Sequence, residues 1–441
     1  MSLIAHRGEL LHFTGDPGER DDAGSYVHLA DGLLLVDGGR IRAAGPAREL
    51  LADLPADIAV VDHGGDLLLP GLIDTHIHFP QTEVIGSGGR DLLDWLEHYV
   101  FAVERRFGDY AYASEVAEIF LDELLRHGTT TALVFCTVHK ASAEAFFAVA
   151  ERRGVRMIAG KVMMDRNCPD YLRDTAADSE RETRELIEAW HGRGRLAVAI
   201  TPRFAPTSTP EQLAAAGRLA HEYPDTYIHS HLAENLGEVA WVRELFPERR
   251  SYLDVYDHYG LLRERAVYAH SIHLAPADRR RMAACGACAA HAPTSNLYLG
   301  SGLFDFAASD AAGLRYGVAT DVGGGTSFSM LRTLGEAYKV AQMRGQRLTP
   351  LRAFYLATLG NARVLQLDGR IGSFAPGCEA DFIAIDWQAT PLLARRTGGG
   401  STLSEKLRVL MTLGDERAVR KTFIGGKEAV IHGNRKVGGD A

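Results

Sequence analysis

Short apolar stretches recur along this chain, each ending in polar residues and each followed by a segment of helical spacing. They are LIDTHIH (72–78), TTALVFCT (130–137), VRMIAGKVMM (155–164), LAVAITPRF (196–204), TYIHSHLAE (226–234), AVYAHSIHL (266–274), ACAAHAPTS (287–295) and GVATDVGG (317–324). All are rich in Val, Ile, Ala or Thr and run into turn residues, as buried strands do. Between them lie amphipathic segments such as ASEVAEIFLDELLRHG and PEQLAAAGRLAHEY; the second opens with Thr209 as N-cap and Pro210 at the first helical position. Eight strands alternating with helices predict an α/β fold, a (β/α)8 barrel over residues 71–365. A doubly wound open sheet is the rival. It would not gather the ends of strands 1, 4, 5, 6 and 8 round one point, and those ends are where His, Glu, Asp and Arg fall. In a barrel they form the face on which active sites are built.

The two chain ends read differently. Residues 1–70 and 366–441 contain short strands broken by Gly-Gly turns, as in YVHLADGLLLVDGGRIRAAG and VRKTFIGGKEAVIHG, which point to β-hairpins. Neither end is long enough to stand alone, so one small β-sandwich made from both is expected beside the barrel. Composition narrows the partners. A net charge of -9 with no basic run argues against nucleic acid. No stretch has the length and apolarity of a membrane span, and the N-terminus lacks the pattern of a secretory signal. Five cysteines, sparse and odd in number, fit a reducing compartment, and a cytoplasmic location is expected.

The polar strand ends carry the chemistry. Residues two apart on a strand share a face, so His76 and His78 at the end of strand 1 can reach one ion from one side. An isolated HxH is weak evidence, because a histidine often only finishes a strand. Strand 5, however, ends with His231 and then Glu234, strand 6 with His270 and His273, and strand 8 with Asp321 before Gly323-Gly324-Gly325. His76, His78, His231 and Asp321 together supply three imidazoles and a carboxylate. That set suits Zn²⁺ or Fe²⁺ with water completing the sphere.

PGLIDTHIH, SHLAEN, AHSIHL and ATDVGGG, in this order, resemble the amidohydrolase superfamily over nearly the whole chain. More narrowly, THIHFPQTEVIG, LLDWLEHYVFAVERRF, GKVMMDRNCPDYLRD, TPRFAPTST and HAPTSNLYLGSGLF are similar to guanine deaminases. The resemblance implies hydrolytic deamination of guanine to xanthine and ammonia in a homodimeric, metal-dependent enzyme. Two-metal members of the superfamily carry a bridging carboxylated Lys at the end of strand 4. Arg203 and Phe204 stand there instead and Lys161 is on strand 3, so one metal per subunit is expected. The chemistry needs a water activated near neutral pH, a proton for the ring nitrogen and a proton for the leaving amine. Glu234 is the expected proton carrier, with Asp321 orienting the water and His270 stabilising developing charge.

In guanine deaminases the residues matching Gln81, Arg203 and Phe204 contact the base. Their chemistry agrees: Arg offers parallel donors to an edge of carbonyl and ring nitrogen, Gln donates and accepts, and Phe packs on a ring face. Trp95 belongs to a connection of some fifty residues after strand 1, long enough for a lid or wall of the site. His273 and His291 are candidates for outer partners of the ligands. His139 and His229 take the plain structural reading, as do His6, His12, His28, His63 and His432 in the predicted sandwich. Cys285-Gly-Ala-Cys288 enters strand 7 with no HxE partner and reads as buried packing. The nearest rival is the same machinery acting on 8-oxoguanine, cytosine, an adenosyl compound or a triazine. A metal-free scaffold protein is the rival from another class.

Overall fold

The computed structural model describes residues 3–55, 58–88 and 92–432; the end of the predicted C-terminal sheet segment, 433–441, lies outside the described residues. Eight parallel strands follow chain order round one sheet: strand 1 (Leu72–His78), strand 2 (Thr129–Phe135), strand 3 (Arg156–Gly160), strand 4 (Ala197–Pro202), strand 5 (Tyr227–Leu232), strand 6 (Ala266–His270), strand 7 (Cys288–His291) and strand 8 (Tyr316–Val318). A further short strand, Val162–Met163, pairs with strand 4. The predicted barrel is therefore present, with all eight predicted stretches supplying strands.

Both faces of these strands are buried, which is why they read as nearly continuous apolar runs. Ile73, Leu133, Ile158, Ala199, Tyr227, Val267, Cys288 and Ala290 point inward and form one core. Their alternates, including Leu72, Val134, Met157, Val198, Ile228 and Tyr268, pack outward against the helices. Two of those helices are Tyr110–Arg126, capped by Asp109 accepting from Ala111 and Tyr112, and Pro210–Glu222, where Thr209 accepts from the Gln212 N–H as expected.

Strand 8 closes onto strand 1 through side chains and loop backbone. Asn361 donates to the carbonyls of Ile73 (2.6 Å) and Val318 (2.8 Å) and accepts from the Val318 N–H (2.9 Å). A Cβ on Gly317 would stand 2.2 Å from Asn361 Oδ1, so only glycine admits this clasp. Beyond it the Asp321 N–H donates to His76 O and the His78 N–H to Val322 O.

Most strands stop short of the predicted stretches. After strand 5, at the end of strand 6 and after strand 8 the backbone turns into the left-handed region, at Ala233 (φ 49°), His270 (φ 65°), Ser271 (φ 53°) and Asp321 (φ 53°). Arg203, Phe204, Glu234, His273 and Asp321 consequently sit on loops at the barrel mouth, not within strands.

The chain ends meet in a single seven-stranded sheet with the order Lys427–Glu428, Val419–Ile424, Phe382–Ile385, Ala59–Pro70, Ile4–Phe13, Tyr26–Asp37, Arg40–Pro46. Gly38-Gly39 and Gly425-Gly426 make its two tight hairpins, all four at positive φ as a primed turn requires. The C-terminal stretch also holds two helices that the hairpin pattern did not announce, Pro391–Thr397 and Leu403–Leu413. Leu407, Leu410 and Met411 join the outer barrel core, so this stretch is not sheet alone.

Candidate active site

At the mouth of the barrel four sequence-predicted ligand side chains converge. Nε2 of His76 and of His78 lie 3.2 Å apart, and Nε2 of His78 lies 3.2 Å from Nε2 of His231. Asp321 Oδ1 is 3.0 Å from His76 Nε2 and 3.4 Å from His78 Nε2. Donor atoms held tetrahedrally at zinc-ligand distances of ~2.0–2.1 Å from one ion would stand roughly 3.4 Å apart, so this spacing fits a single cation. His270 comes within 4.8 Å of His76 and His231 and is a further imidazole within reach.

The donors are in the right protonation state to bind a cation. Burial pulls the His78 imidazole down to about 4 and lowers those of His76 and His231 as well. They are neutral at pH 7. His231 Nδ1 donates to the Arg203 carbonyl at 2.7 Å, and because a carbonyl only accepts, the Nε2 facing the cluster holds a lone pair. Burial alone would raise the Asp321 carboxyl, but His76, His78 and His270 prevail and hold it well below the usual range. His229, read from sequence as structural, stands directly behind the cluster with its Nε2 2.8 Å from His76 Nδ1. Asp74 accepts from the N–H groups of His76 and Thr320 and so ties strand 1 to the loop carrying Asp321.

Glu234 lies on the other side of His270, with its Oε2 3.3 Å from His270 Nε2. Burial, and then the neighbouring Asp321, push its carboxyl up to about 8. It can therefore hold or release a proton near neutral pH. Ser301 Oγ donates to Glu234 Oε1 at 2.8 Å, and Asn296 Oδ1 sits 2.8 Å from His270 Nδ1. The Glu234 N–H donates to Glu238, whose other oxygen accepts from Tyr252.

A cavity opens onto these groups. His78, His231, Glu234, His270 and Asp321 line it, and so do Gln81, Arg203, Phe204 and Trp95. The predicted base-contact residues are thus brought to the same space. Trp95 comes from a helical segment over the mouth; among the described residues its buried Nε1–H meets no acceptor, nor does the buried Ser295 hydroxyl, which also lines the cavity, find a partner. His273 Nε2 donates to the Ser301 carbonyl (2.8 Å) and not to the cluster. His291 stacks on Phe304, and among the described residues neither of its ring nitrogens has a partner. Lys161 pairs with Asp174, and Cys288 belongs to the barrel core, in keeping with its reading as buried packing.

Sequence reasoning missed Glu104, Asn296, Ser301 and Glu238. Ser301 and Asn296 stand in the HAPTSNLYLGSGLF stretch noted for its resemblance, but nothing local marks either as a partner of Glu234 or His270. Glu104 stands in LLDWLEHYVFAVERRF, also noted for its resemblance, but nothing local marks it as a partner of Arg203 or Gln81.

Comparison with known proteins follows the same line. Residues 67–429 match the model of the amidohydrolase family. The chain is 49% identical over 427 residues to guanine deaminase of Escherichia coli (strain K12), with 97% of each chain covered. Among solved structures, guanine deaminase from Bradyrhizobium japonicum superposes with a TM-score of 0.94 at 35% identity, over 98% of this chain and 99% of that one. Guanine deaminase from C. acetobutylicum, with guanine bound in its active site, gives 0.88 at 28% identity over 97% and 100%. Similarity of this extent, end to end and on the same barrel, establishes descent: this chain belongs to the amidohydrolase family.

Proposed function

We propose that this chain hydrolyses guanine to xanthine and ammonia, using one zinc ion held by His76, His78, His231 and Asp321. Fe²⁺ suits the same donors. When bound, the ion supplies Lewis acidity that brings a water pKa down toward 7. Everything else falls to the chain. Glu234 takes a proton from the attacking water and delivers it to the ring nitrogen beside the amine-bearing carbon; it then takes the second proton from the hydroxyl added to that carbon and passes it to the amine, which leaves as ammonia as the carbonyl forms. Its raised pKa suits a group that must both accept and give. His270, between Glu234 and Asp321, donates to the oxygen on which negative charge grows. Arg203 and Gln81 hold the carbonyl and ring-nitrogen edge, Phe204 and Trp95 the faces, and the helical segment over the mouth excludes bulk water.

The observation that carries this reading is the shared cavity: a proton carrier, a cation cradle and purine-reading donors line one space. Relatives named guanine deaminase at up to 49% identity support the choice of base. The test is to load purified protein with zinc, supply guanine, and follow xanthine and ammonia, with 8-oxoguanine, cytosine and a triazine as controls. Turnover of a control without turnover of guanine would reject guanine while leaving the machinery intact. We place the enzyme in the cytoplasm because its cysteines are free thiols, and as a homodimer by its resemblance; sedimentation checks the second point.

A further inference from the structure

Glu104 is not among the site residues read from the sequence, yet it is 1% exposed. It ends the helix Phe101–Glu104 within the run of helical turns, described over residues 92–108, that covers the barrel mouth. Its two carboxylate oxygens are divided between two cavity-lining side chains: Oε2 accepts from Arg203 Nη1 at 2.7 Å and Oε1 from Gln81 Nε2 at 3.3 Å. Arg203 is itself 3% exposed, and its guanidinium carbon stands 5.4 Å from the ring of Phe101, one turn before Glu104. Gln81 is fixed at its other end by the Gly323 N–H, which donates to Oε1. Glu104 does not line the cavity. Three segments therefore meet at one carboxylate: the covering helix, the loop after strand 1 and the loop after strand 4.

An arginine offers five donors in a rigid fork, and which of them face a ligand depends on where one edge is anchored. We infer that Glu104 is a positioning residue for base recognition: it orients the Arg203 guanidinium, and secondarily the Gln81 amide, toward the carbonyl and ring-nitrogen edge of the purine. The inference rests on the proposed role of Arg203 and Gln81 as base contacts. Contacts to that edge are made alike before and during reaction, so losing them raises KM and leaves kcat nearly unchanged.

The experiment is a double-variant cycle on the zinc-loaded full chain with guanine. Glu104→Gln is expected to raise KM about 30-fold, the size of a lost charge-assisted hydrogen bond, with kcat within about threefold and zinc content and circular dichroism unchanged. Because Glu104 acts through Arg203, adding Glu104→Gln to Arg203→Ala is expected to change KM by less than about threefold. Glu104→Asp, which keeps the charge one methylene further away, is expected to fall between wild type and Glu104→Gln, and it stands in should Glu104→Gln not fold. Multiplicative effects in the cycle, a fall in kcat at constant KM, or an unchanged KM in either single Glu104 variant overturns the inference. Failure of the wild type to convert guanine is a different result: it removes the proposed function, and this inference with it.

Discussion

Two groups of buried histidines lie in this molecule, one at the barrel mouth and one in the sheet made by the chain ends, and burial alone does not tell them apart. In the terminal sheet His6 Nδ1 lies 3.0 Å from His63 Nε2, and the His6 ring meets Phe382 and Phe423 edge-on at 4.9 and 5.2 Å. Burial and the neighbouring His63 lower the His6 imidazole to about 4, the same range as His78 at the mouth. What differs is aim. The nitrogens of His76, His78 and His231 point at one another and at Asp321 on the rim of a cavity, whereas the His6 ring is packed against aromatic carbon. A metal cradle is recognised by converging lone pairs beside a carboxylate, not by the number of histidines or their depth.

The sharpest way to break this comparison is to remove an imidazole from each group. His231→Ala is expected to abolish bound zinc and turnover together, while His6→Phe retains zinc and full turnover per folded molecule; metal analysis and xanthine formation measure both. Equal metal content in the two variants would end the distinction. Chelation of the wild type gives the same split without mutation: activity vanishes and returns with zinc, and the circular dichroism of the fold persists. Next in size is Glu234→Gln, expected to keep the metal and lose about 10²- to 10⁴-fold in kcat.

The terminal group has its own signature, in stability and not in rate. His6 titrates near 4 when folded and near 6.5 when unfolded. Above 6.5 both states are neutral and the group contributes nothing to pH dependence. As pH falls from 6.5 to 4 the unfolded chain gains a proton that the folded chain refuses, so stability drops, by up to about 3 kcal/mol. Below 4 the loss is complete and constant. Denaturant unfolding at pH 7 and pH 4.5 is expected to show a larger acid loss in the wild type than in His6→Phe. Identical losses would mean that the burial of His6 does not exclude its charged form.

Much of this was legible in the sequence. All eight barrel strands fall within or at the edge of the apolar stretches, and the Gly-Gly turns mark both tight hairpins, because both signals are local: period, side-chain shape and positive φ. The predicted strands ran too long because the mouth loops are also buried; Ala233, Ile272 and Leu274 give the same apolar signal without being strand. Helix Leu403–Leu413 was hidden in a stretch read for its hairpins. Glu104 and Asn361 were invisible for a deeper reason. Their partners are 99 residues away for the Glu104–Arg203 pair and 288 for Asn361 with Ile73, and no periodicity encodes a contact at that range.

The smallest effect sharpens the comparison most, since it asks whether residence at the mouth is enough. His273 stands three residues after His270, and its sequence position fits an outer partner of the metal ligands equally well. Its Nε2 donates to the Ser301 carbonyl at 2.8 Å, and among the described residues this bond leads to the chemistry through Ser301, whose hydroxyl donates to Glu234. His273→Ala should therefore leave zinc content untouched and lower kcat by about tenfold or less, the lower end of what loss of an outer hydrogen-bond partner does at such sites. Ser301→Ala removes the direct bond to Glu234 and should cost more than His273→Ala, and the two changes combined should cost little more than Ser301→Ala alone, because they lie on one path. Loss of zinc from His273→Ala would place that imidazole among the metal's supports and would show that the direction of a ring nitrogen is a poorer guide at this mouth than its place along the chain.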